Sequence, residues 1–260
     1  VLAMLADLGY PPGDTTLVPL REQVYTWLLS PHRIRRFERG PRPVRICASQ
    51  EGNALFALLK LGLADDRVEL LVKRLLATRW PDGGWNCDRN ASGNTSSFME
   101  TLLPLRGLAL YADRFGSTEA RSSADQAAEI FLRRRLFKRQ RDGAVIARDF
   151  VRLHYPCFWH YDILFGLKVM SEAGFLDDPR CVDALDLLHS KRLPDGGFPA
   201  EGSYYRWTDQ AGARGRSLVD WGGVSRLRSN AWVTTDALAV LKAAGRSAVD
   251  GTSSLQGEGR

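Results

Sequence analysis

Four consecutive side chains, Trp159, His160, Tyr161 and Asp162, place hydrogen-bonding groups directly ahead of an apolar run. An imidazole titrates near neutral pH and can take up and return a proton, so His160 and Asp162 are candidate catalytic residues. One face of a helix cannot bury all four groups, and we therefore expect the segment to face a cavity. The alternative is that His160 is structural, the commoner role of a lone histidine.

Three further polar residues, Asn53, Glu100 and Asp236, stand like Asp162 just ahead of an apolar run. Carboxylates at helix starts are favoured by the helix dipole, and Glu100 also completes a capping box with Ser97. The competing interpretation is that four helices each place one polar group around a pocket. On that interpretation Glu100 is a third catalytic candidate, and Asn53 and Asp236 bind substrate.

Aromatic residues cluster near these positions, and we expect half or more of them to serve packing alone. The residues that we expect to contact substrate, including one loop arginine, are Trp85, Trp159, Tyr161, Tyr204, Tyr205, Arg206 and Trp232.

We predict no metal site and no cofactor. Cys157, His160 and Asp162 lack the spacing of a zinc motif. The segment 65–69 matches D-D-x-x-E, but it opens an outer helix, where acids act as caps.

The elements that position these residues are predicted to be helices, because the chain shows helical periodicity and no convincing strand signal. Largely apolar helices are expected inside the fold at 47–62, 97–115, 156–174 and 229–245. Amphipathic helices are expected outside them at 65–78, 122–138 and 178–191, and a further helix at 16–30. Gly62, Gly174 and Gly245 are predicted to end helices in the left-handed conformation, and Pro104 to kink one.

The longest segments without a helix signal are 31–44, which is basic and carries three prolines, and 204–229. We predict loops there, because proline interrupts helices. Residues 1–245 are expected to form a single domain. Residues 246–260 are polar and rich in glycine and serine, which predicts a disordered tail.

A turn motif ends three of the outer helices. It reads Arg-x-x-Asp-Gly-Gly-Trp at 79–85, Arg-x-x-Asp-Gly-Ala-Val at 139–145 and Arg-x-x-Asp-Gly-Gly-Phe at 192–198. The aspartate can bond its own backbone, and glycine supplies positive φ. With the helix pairs around them, these turns resemble the Q-x-x-D-G-G-W repeat of squalene/hopene cyclases and protein prenyltransferase β-subunits, with arginine replacing the glutamine.

The resemblance covers about residues 45–245 and implies an all-α, α/α-toroid-like array of helical hairpins around a cavity. A closed ring of six pairs needs more helices than this chain provides. We therefore expect an open array, or a ring completed by a second copy or a related chain. The cyclase motif D-x-D-D is missing from the sequence, which argues against a terpene substrate.

Composition narrows the class of protein further. The net charge of +6 comes from 30 arginines against six lysines, and the dispersed basic residues match no nucleic-acid-binding module. Four cysteines without paired spacing predict free thiols. No apolar run approaches the ~18 residues of a membrane span, and the first residues lack the basic flank of a signal peptide, so we expect a cytoplasmic protein.

These observations together predict a cyclase-like enzyme of specialised metabolism. Its substrate would be a small amine or amino-acid-like molecule, and its reaction an intramolecular displacement of an anionic leaving group such as sulfate or phosphate. Arginines would hold that group. The alternatives are a terpene or polyprenyl cyclase without the usual acid motifs, and a non-catalytic binding or scaffold partner. A polar cavity with convergent acids would favour the first, an aromatic apolar cavity the second, and a filled interior the third.

Overall fold

The computed structural model describes residues 1–39, 43–88, 93–210 and 215–246, which are mostly helical. The helices are α1 (Leu2–Asp7), α2 (Val18–Leu28), α3 (Pro31–Arg39), α4 (Ala48–Lys60), α5 (Val68–Thr78), α6 (Phe98–Phe115), α7 (Thr118–Leu132), α8 (Ile163–Glu172), α9 (Val182–His189) and α10 (Ala231–Ala243). A short parallel pair joins β1 (Arg206–Trp207) to β2 (Arg216–Ser217). None of the helices in these ranges has the length and hydropathy needed to cross a membrane.

The helices form two layers. In the inner layer α1 packs on α4, α4 on α6, α6 on α8 and α8 on α10; α5, α7 and α9 lie outside α4, α6 and α8. Five successive residues of α4, 55–59, are all buried, whereas α5 buries one stripe and exposes the other. A mostly helical fold with apolar helices inside is therefore confirmed, and closure of the array into a ring stays a prediction.

The two central helices, α4 and α6, meet at glycine. A Cβ atom on Gly52 would lie 2.3 Å from Pro104 N, and one on Gly107 would lie 2.7 Å from Gly52 O. Only glycine permits this approach, because real Cβ atoms do not come so close to backbone. Pro104 lies inside α6, as expected, and its missing N–H leaves the Glu100 carbonyl without that helical bond.

Gly83, Gly143 and Gly196 of the three repeated turns all adopt positive φ, as the sequence predicts. Asp142 Oδ1 accepts from Ala144 N at 3.1 Å, and Asp195 Oδ1 accepts from Gly197 N at 2.9 Å. Asp82 instead accepts from the backbone and hydroxyl of Ser96, at 2.7 and 2.6 Å. The closing Trp85 and Phe198 are fully buried. The turns at 79–85 and 192–198 thus bond the residues just before α6 and α10, through Asp82 to Ser96 and Asp195 to Ser229.

Several predicted boundaries need correction. The helix expected at 156–174 begins only at Ile163, because Asp162 has extended backbone and its side chain accepts from Phe165 N. The helix expected from 65 begins at Val68, since Asp65 bonds Arg67 N in a turn. The loop expected at 31–44 contains α3, because proline is tolerated at the first helical position.

Three further differences concern helix ends and strands. The helix expected at 122–138 starts at Thr118, because Ser117 Oγ accepts from Ala120 N at 3.2 Å, and it ends at Leu132. The segment 204–229 includes the β1–β2 pair, which sequence reasoning missed. Residues 40–42 and 211–214 of the two predicted loops, and 247–260 of the predicted tail, lie outside the described residues.

Candidate functional site

Four of the predicted site residues line two clefts. The Asp236 cleft lies between α1, α8 and α10, and its walls include Asp7, Tyr155, Cys157, Lys168, Trp221 and Asp236. The Glu100 cleft lies at the starts of α4 and α6, and its walls include Cys47, Gln50, Asn53, Cys87, Glu100 and Trp159. The predicted column of polar residues is therefore split: Asn53 and Glu100 share one cleft, and Asp236 lines the other.

A chain of charged side chains runs behind the Asp236 cleft. Lys168 Nζ lies 2.9 Å from Asp236 Oδ1 and 3.8 Å from Asp7 Oδ1. Asp7 Oδ1 also accepts from Arg106 Nη2 at 2.6 Å, and Arg106 Nη2 donates to Glu172 Oε1 at 2.8 Å. Three carboxylates thus face two cations, leaving one negative charge in excess. Burial raises the pKa of Asp236, and the Lys168 ammonium opposes that shift.

The rings of Tyr155 and Trp221 line the same cleft as these charges, and Trp232 packs against both rings. Tyr155 packs edge to face on Trp221 at 5.3 Å between ring centroids and stacks with Trp232 at 5.7 Å. Trp221 and Trp232 contact each other at 5.2 Å. Aromatic faces carry partial negative charge, so rings next to an excess carboxylate favour a cationic guest.

The Glu100 cleft brings together two thiols and a buried carboxylate. Glu100 Oε2 accepts from Ser49 N at 2.9 Å, which replaces the predicted capping box with Ser97. Cys87 Sγ donates to Glu100 Oε1 at 3.2 Å, and one ligand atom from each of Cys47, Cys87 and Glu100 lies within 4.8 Å of the others. Burial, reinforced by the Glu100 charge, raises the pKa of Cys87 far above its ordinary value.

Asp162 and His160 line neither cleft. Asp162 is fully buried; its Oδ1 accepts from Phe165 N at 2.9 Å and its Oδ2 from His154 N at 2.7 Å. The His160 ring stacks on Trp159 and on Tyr204, in each case at 3.9 Å. Burial lowers the pKa of His160, which favours the neutral imidazole.

Six other candidates line neither cleft. Among them, the Tyr204 hydroxyl donates to Tyr161 O at 3.1 Å, and Trp232 packs on Tyr155 and Trp221. Tyr161 and Trp85 are core residues: Tyr161 donates from its hydroxyl to Leu136 O at 2.7 Å, and Trp85 Nε1 donates to Leu75 O at 3.0 Å. Tyr205 packs on Phe158, which lines the Asp236 cleft. Arg206 lies on β1 and is exposed.

Sequence reasoning missed the two cysteines of the Glu100 cleft and Asp7 and Lys168 of the other. It counted Trp221 among the clustered aromatic residues but not among those expected to contact substrate. The sequence did contain a signal for Lys168, because it is the only charged residue in the apolar run 163–170. No local sequence signal links Cys47 to Cys87, because 40 positions separate them. They meet because Ile46 N donates to Asn86 O at 3.1 Å, which holds the two segments side by side.

Comparisons with protein-family models, with curated proteins and with solved structures found no match for this chain. The geometry of the two clefts therefore carries the functional argument.

Proposed function

We propose that this chain is an enzyme that binds the ammonium group of a small amine or amino-acid-like substrate in the Asp236 cleft, whose space of about 30 Å³ admits a group of that size, and closes a ring on the rest of the molecule. The observation that carries the proposal is the excess negative charge of that cleft. Asp7, Asp236 and Glu172 outnumber Lys168 and Arg106, and the aromatic group Tyr155, Trp221 and Trp232 stands beside them. An ammonium group would neutralise the excess and gain cation–π contact.

The reaction proposed is an intramolecular displacement. Asp236 would take the proton from the bound ammonium, and its raised pKa makes it a better base than an ordinary carboxylate. The freed nitrogen lone pair would form a bond to the carbon that carries the leaving group. That group would depart with the bonding electrons as an anion, which the Lys168 ammonium is placed to stabilise. Binding a folded conformer would supply much of the rate.

The residue roles in this proposal differ from those that the sequence predicted. Lys168 replaces the arginines as partner of the leaving group, because the described walls of the cleft contain no arginine. Charged walls disfavour a polyprenyl substrate. A non-catalytic binding role is the second candidate, and one observation favours it: Arg106 and its carboxylate partners fill space between α1, α6 and α8.

The proposal can be tested by binding and turnover. Native mass spectrometry of the purified chain would identify co-purified cations, and calorimetry would rank small primary amines with and without an O-sulfate or O-phosphate group. Asp236→Asn should weaken amine binding by at least about tenfold, the equivalent of 1.4 kcal/mol. Glu69→Gln is the matched control, because it removes an exposed carboxylate on α5. Equal affinities in the wild type and both variants, or no amine binding at all, would refute the proposal.

A partner chain belongs to the same proposal. The outer face of α10 exposes Trp232 and Leu238, and Trp27 is exposed at the other end of the array. Repeat arrays cover their end faces, so a second copy or a related chain would extend the inner layer at one of these ends.

A further inference from the structure

We infer that Cys47, Cys87 and Glu100 form a binding site for a divalent transition-metal ion, Zn²⁺ by preference, with one coordination position open to the Glu100 cleft. The inference does not depend on the function proposed for the Asp236 cleft.

The first argument is the spacing of the ligand atoms. Two sulfur atoms and one carboxylate oxygen lie within 4.8 Å of one another, and the Cys87 Sγ–Glu100 Oε1 distance is 3.2 Å. Bond lengths of ~2.3 Å to sulfur and ~2.0 Å to oxygen place ligand atoms of a tetrahedral zinc site about 3.5–3.8 Å apart. Small side-chain rotations would therefore be sufficient to bind the ion.

The second argument is that the three ligands are held in place by contacts that do not involve an ion. Ser49 N bonds Glu100 Oε2 at 2.9 Å, which leaves Oε1 turned toward Cys87. The Ile46 N–Asn86 O bond at 3.1 Å fixes the two cysteine-bearing segments against each other. A metal would thus meet a largely ordered site and would need little rearrangement of the chain.

The third argument is that the buried carboxylate lacks a cation. Glu100 is 6% exposed, and among the residues that the structure describes no lysine or arginine forms an ion pair with it. Glu51, the neighbouring buried acid, is bonded by both Arg33 and Arg74. Buried charges in proteins are paired or coordinate metals, and a bound divalent ion would give the Glu100 carboxylate a direct cationic partner while the two thiols lose their protons.

The choice of ion and the open position follow from the donor set and the cleft. Two thiolates and one carboxylate suit Zn²⁺ and exclude Mg²⁺ and Ca²⁺, which prefer oxygen alone. Three protein ligands leave the fourth tetrahedral position to water or substrate. Gln50 lines the same cleft, and its Oε1 is buried with no hydrogen-bond partner in the described part of the chain. A metal-bound water would offer the donor that this oxygen lacks.

The test uses Co²⁺ and Zn²⁺ on the full chain after complete thiol reduction and chelator removal of bound metal. Co²⁺ should produce a thiolate-to-cobalt charge-transfer band in the near ultraviolet and the intense visible bands of tetrahedral coordination, and Zn²⁺ should abolish both. Zn²⁺ should also protect Cys47 and Cys87 from alkylation, as read by peptide mass spectrometry. These measurements on the wild type do not depend on whether any variant folds.

Variants then assign the ligands. Cys47→Ser and Cys87→Ser should each weaken Zn²⁺ binding by more than about 100-fold, the upper range for loss of an outer-shell partner. Cys181→Ser is the matched control; its hydroxyl can still donate to Phe175 O, as the Cys181 thiol does. Absence of the charge-transfer band in the reduced wild type, or unchanged affinity in folded Cys47→Ser and Cys87→Ser, would overturn the inference. So would a Cys47–Cys87 disulfide in a protein that binds no metal after reduction.

Discussion

Lys168 Nζ lies 2.9 Å from Asp236 Oδ1 and 3.8 Å from Asp7 Oδ1, so a single ammonium group bridges α8, α10 and α1. It occupies the position in which a substrate amine would also be most stable. On the function proposed above, the protein's own lysine and a bound amine would therefore compete for the same carboxylates.

This competition gives a first prediction. Lys168→Met should tighten binding of amines that lack a leaving group, because Asp7 and Asp236 lose their internal cation, and it should slow turnover, because the leaving group loses its partner. It should also lower the free energy of unfolding by up to about 3 kcal/mol, since a carboxylate is left unpaired in a largely buried site. Calorimetry, product assay and urea denaturation measure the three effects. Lys168→Arg keeps the charge and is the control; weaker amine binding in Lys168→Met would contradict the prediction.

A second prediction concerns Asp162, which the sequence marks as catalytic. Both of its carboxylate oxygens accept backbone N–H groups, from Phe165 and His154. Asp162→Asn would set an amide NH₂ against one of these donors, and an unsatisfied buried donor costs about 1–3 kcal/mol. We expect the melting temperature to fall. Unchanged stability with lost activity would return Asp162 to the catalytic group.

A third prediction compares two glycines in equivalent turns. Gly83 has φ +105° and a Cβ there would lie 2.8 Å from Gln126 O, whereas Gly143 has φ +69° and open space around it. Gly143→Ala should cost about 1–2 kcal/mol for the left-handed backbone alone. Gly83→Ala should cost more, because the methyl group also meets backbone, and Gly83→Val more still. Equal unfolding free energies for the two alanine variants would contradict this packing.

A fourth prediction concerns acid stability at the surface. Bidentate hydrogen bonds from Arg67 lower the pKa of Glu22 from 4.5 to about 2. The folded pKa is depressed, so the stabilisation is present above pH 4.5 and is lost as the pH falls through about 2. The stability difference between wild type and Glu22→Gln should therefore shrink over that interval. Carboxyl NMR titration measures the pKa directly, and it should rise in Arg67→Met. A Glu22 pKa unaffected by Arg67→Met would refute the assignment.

A fifth prediction is that the chain associates. Sedimentation equilibrium should detect a species larger than 29.0 kDa, or a partner should co-purify. Leu238→Glu, on the exposed face of α10, should shift the equilibrium toward the monomer. A monodisperse monomer of the wild type at high concentration, with no partner, would defeat the expectation of a completed ring.

Local rules in the sequence explain much of the fold. Gly62, Gly174 and Gly245 all adopt positive φ as predicted, because a helix end in that conformation favours glycine whatever surrounds it. The helical pairs and their turns were also readable, since their signals lie within a few neighbouring positions. The start of α8 could not be predicted in this way. Its N-cap is Asp162, and the apolar and aromatic residues before it extended the apparent helix by about two turns.

The candidate site was less accessible to such rules, because its parts come from distant segments. Arg106 of α6 is 2% exposed, and its guanidinium carbon lies 3.5 Å from the centre of the Phe56 ring. Only the packing of α1 and α8 around it, with Asp7 and Glu172, makes its burial possible. Cys47 and Cys87 depend in the same way on contacts between separate segments of the chain.

The glycine contact between α4 and α6 has a consequence for anyone redesigning this protein. Gly52 lies about 7.5 Å along α4 from Cys47, at ~1.5 Å per residue, and Pro104 lies about 6 Å along α6 from Glu100. The contact thus sets the angle at which the two helix starts meet. A single added methyl group at Gly52 touches neither cleft, yet it would widen the gap between Cys47 and Glu100. Directed evolution of new specificity should therefore sample Gly52 and Gly107 last, since most changes there alter the spacing of both helix starts at once.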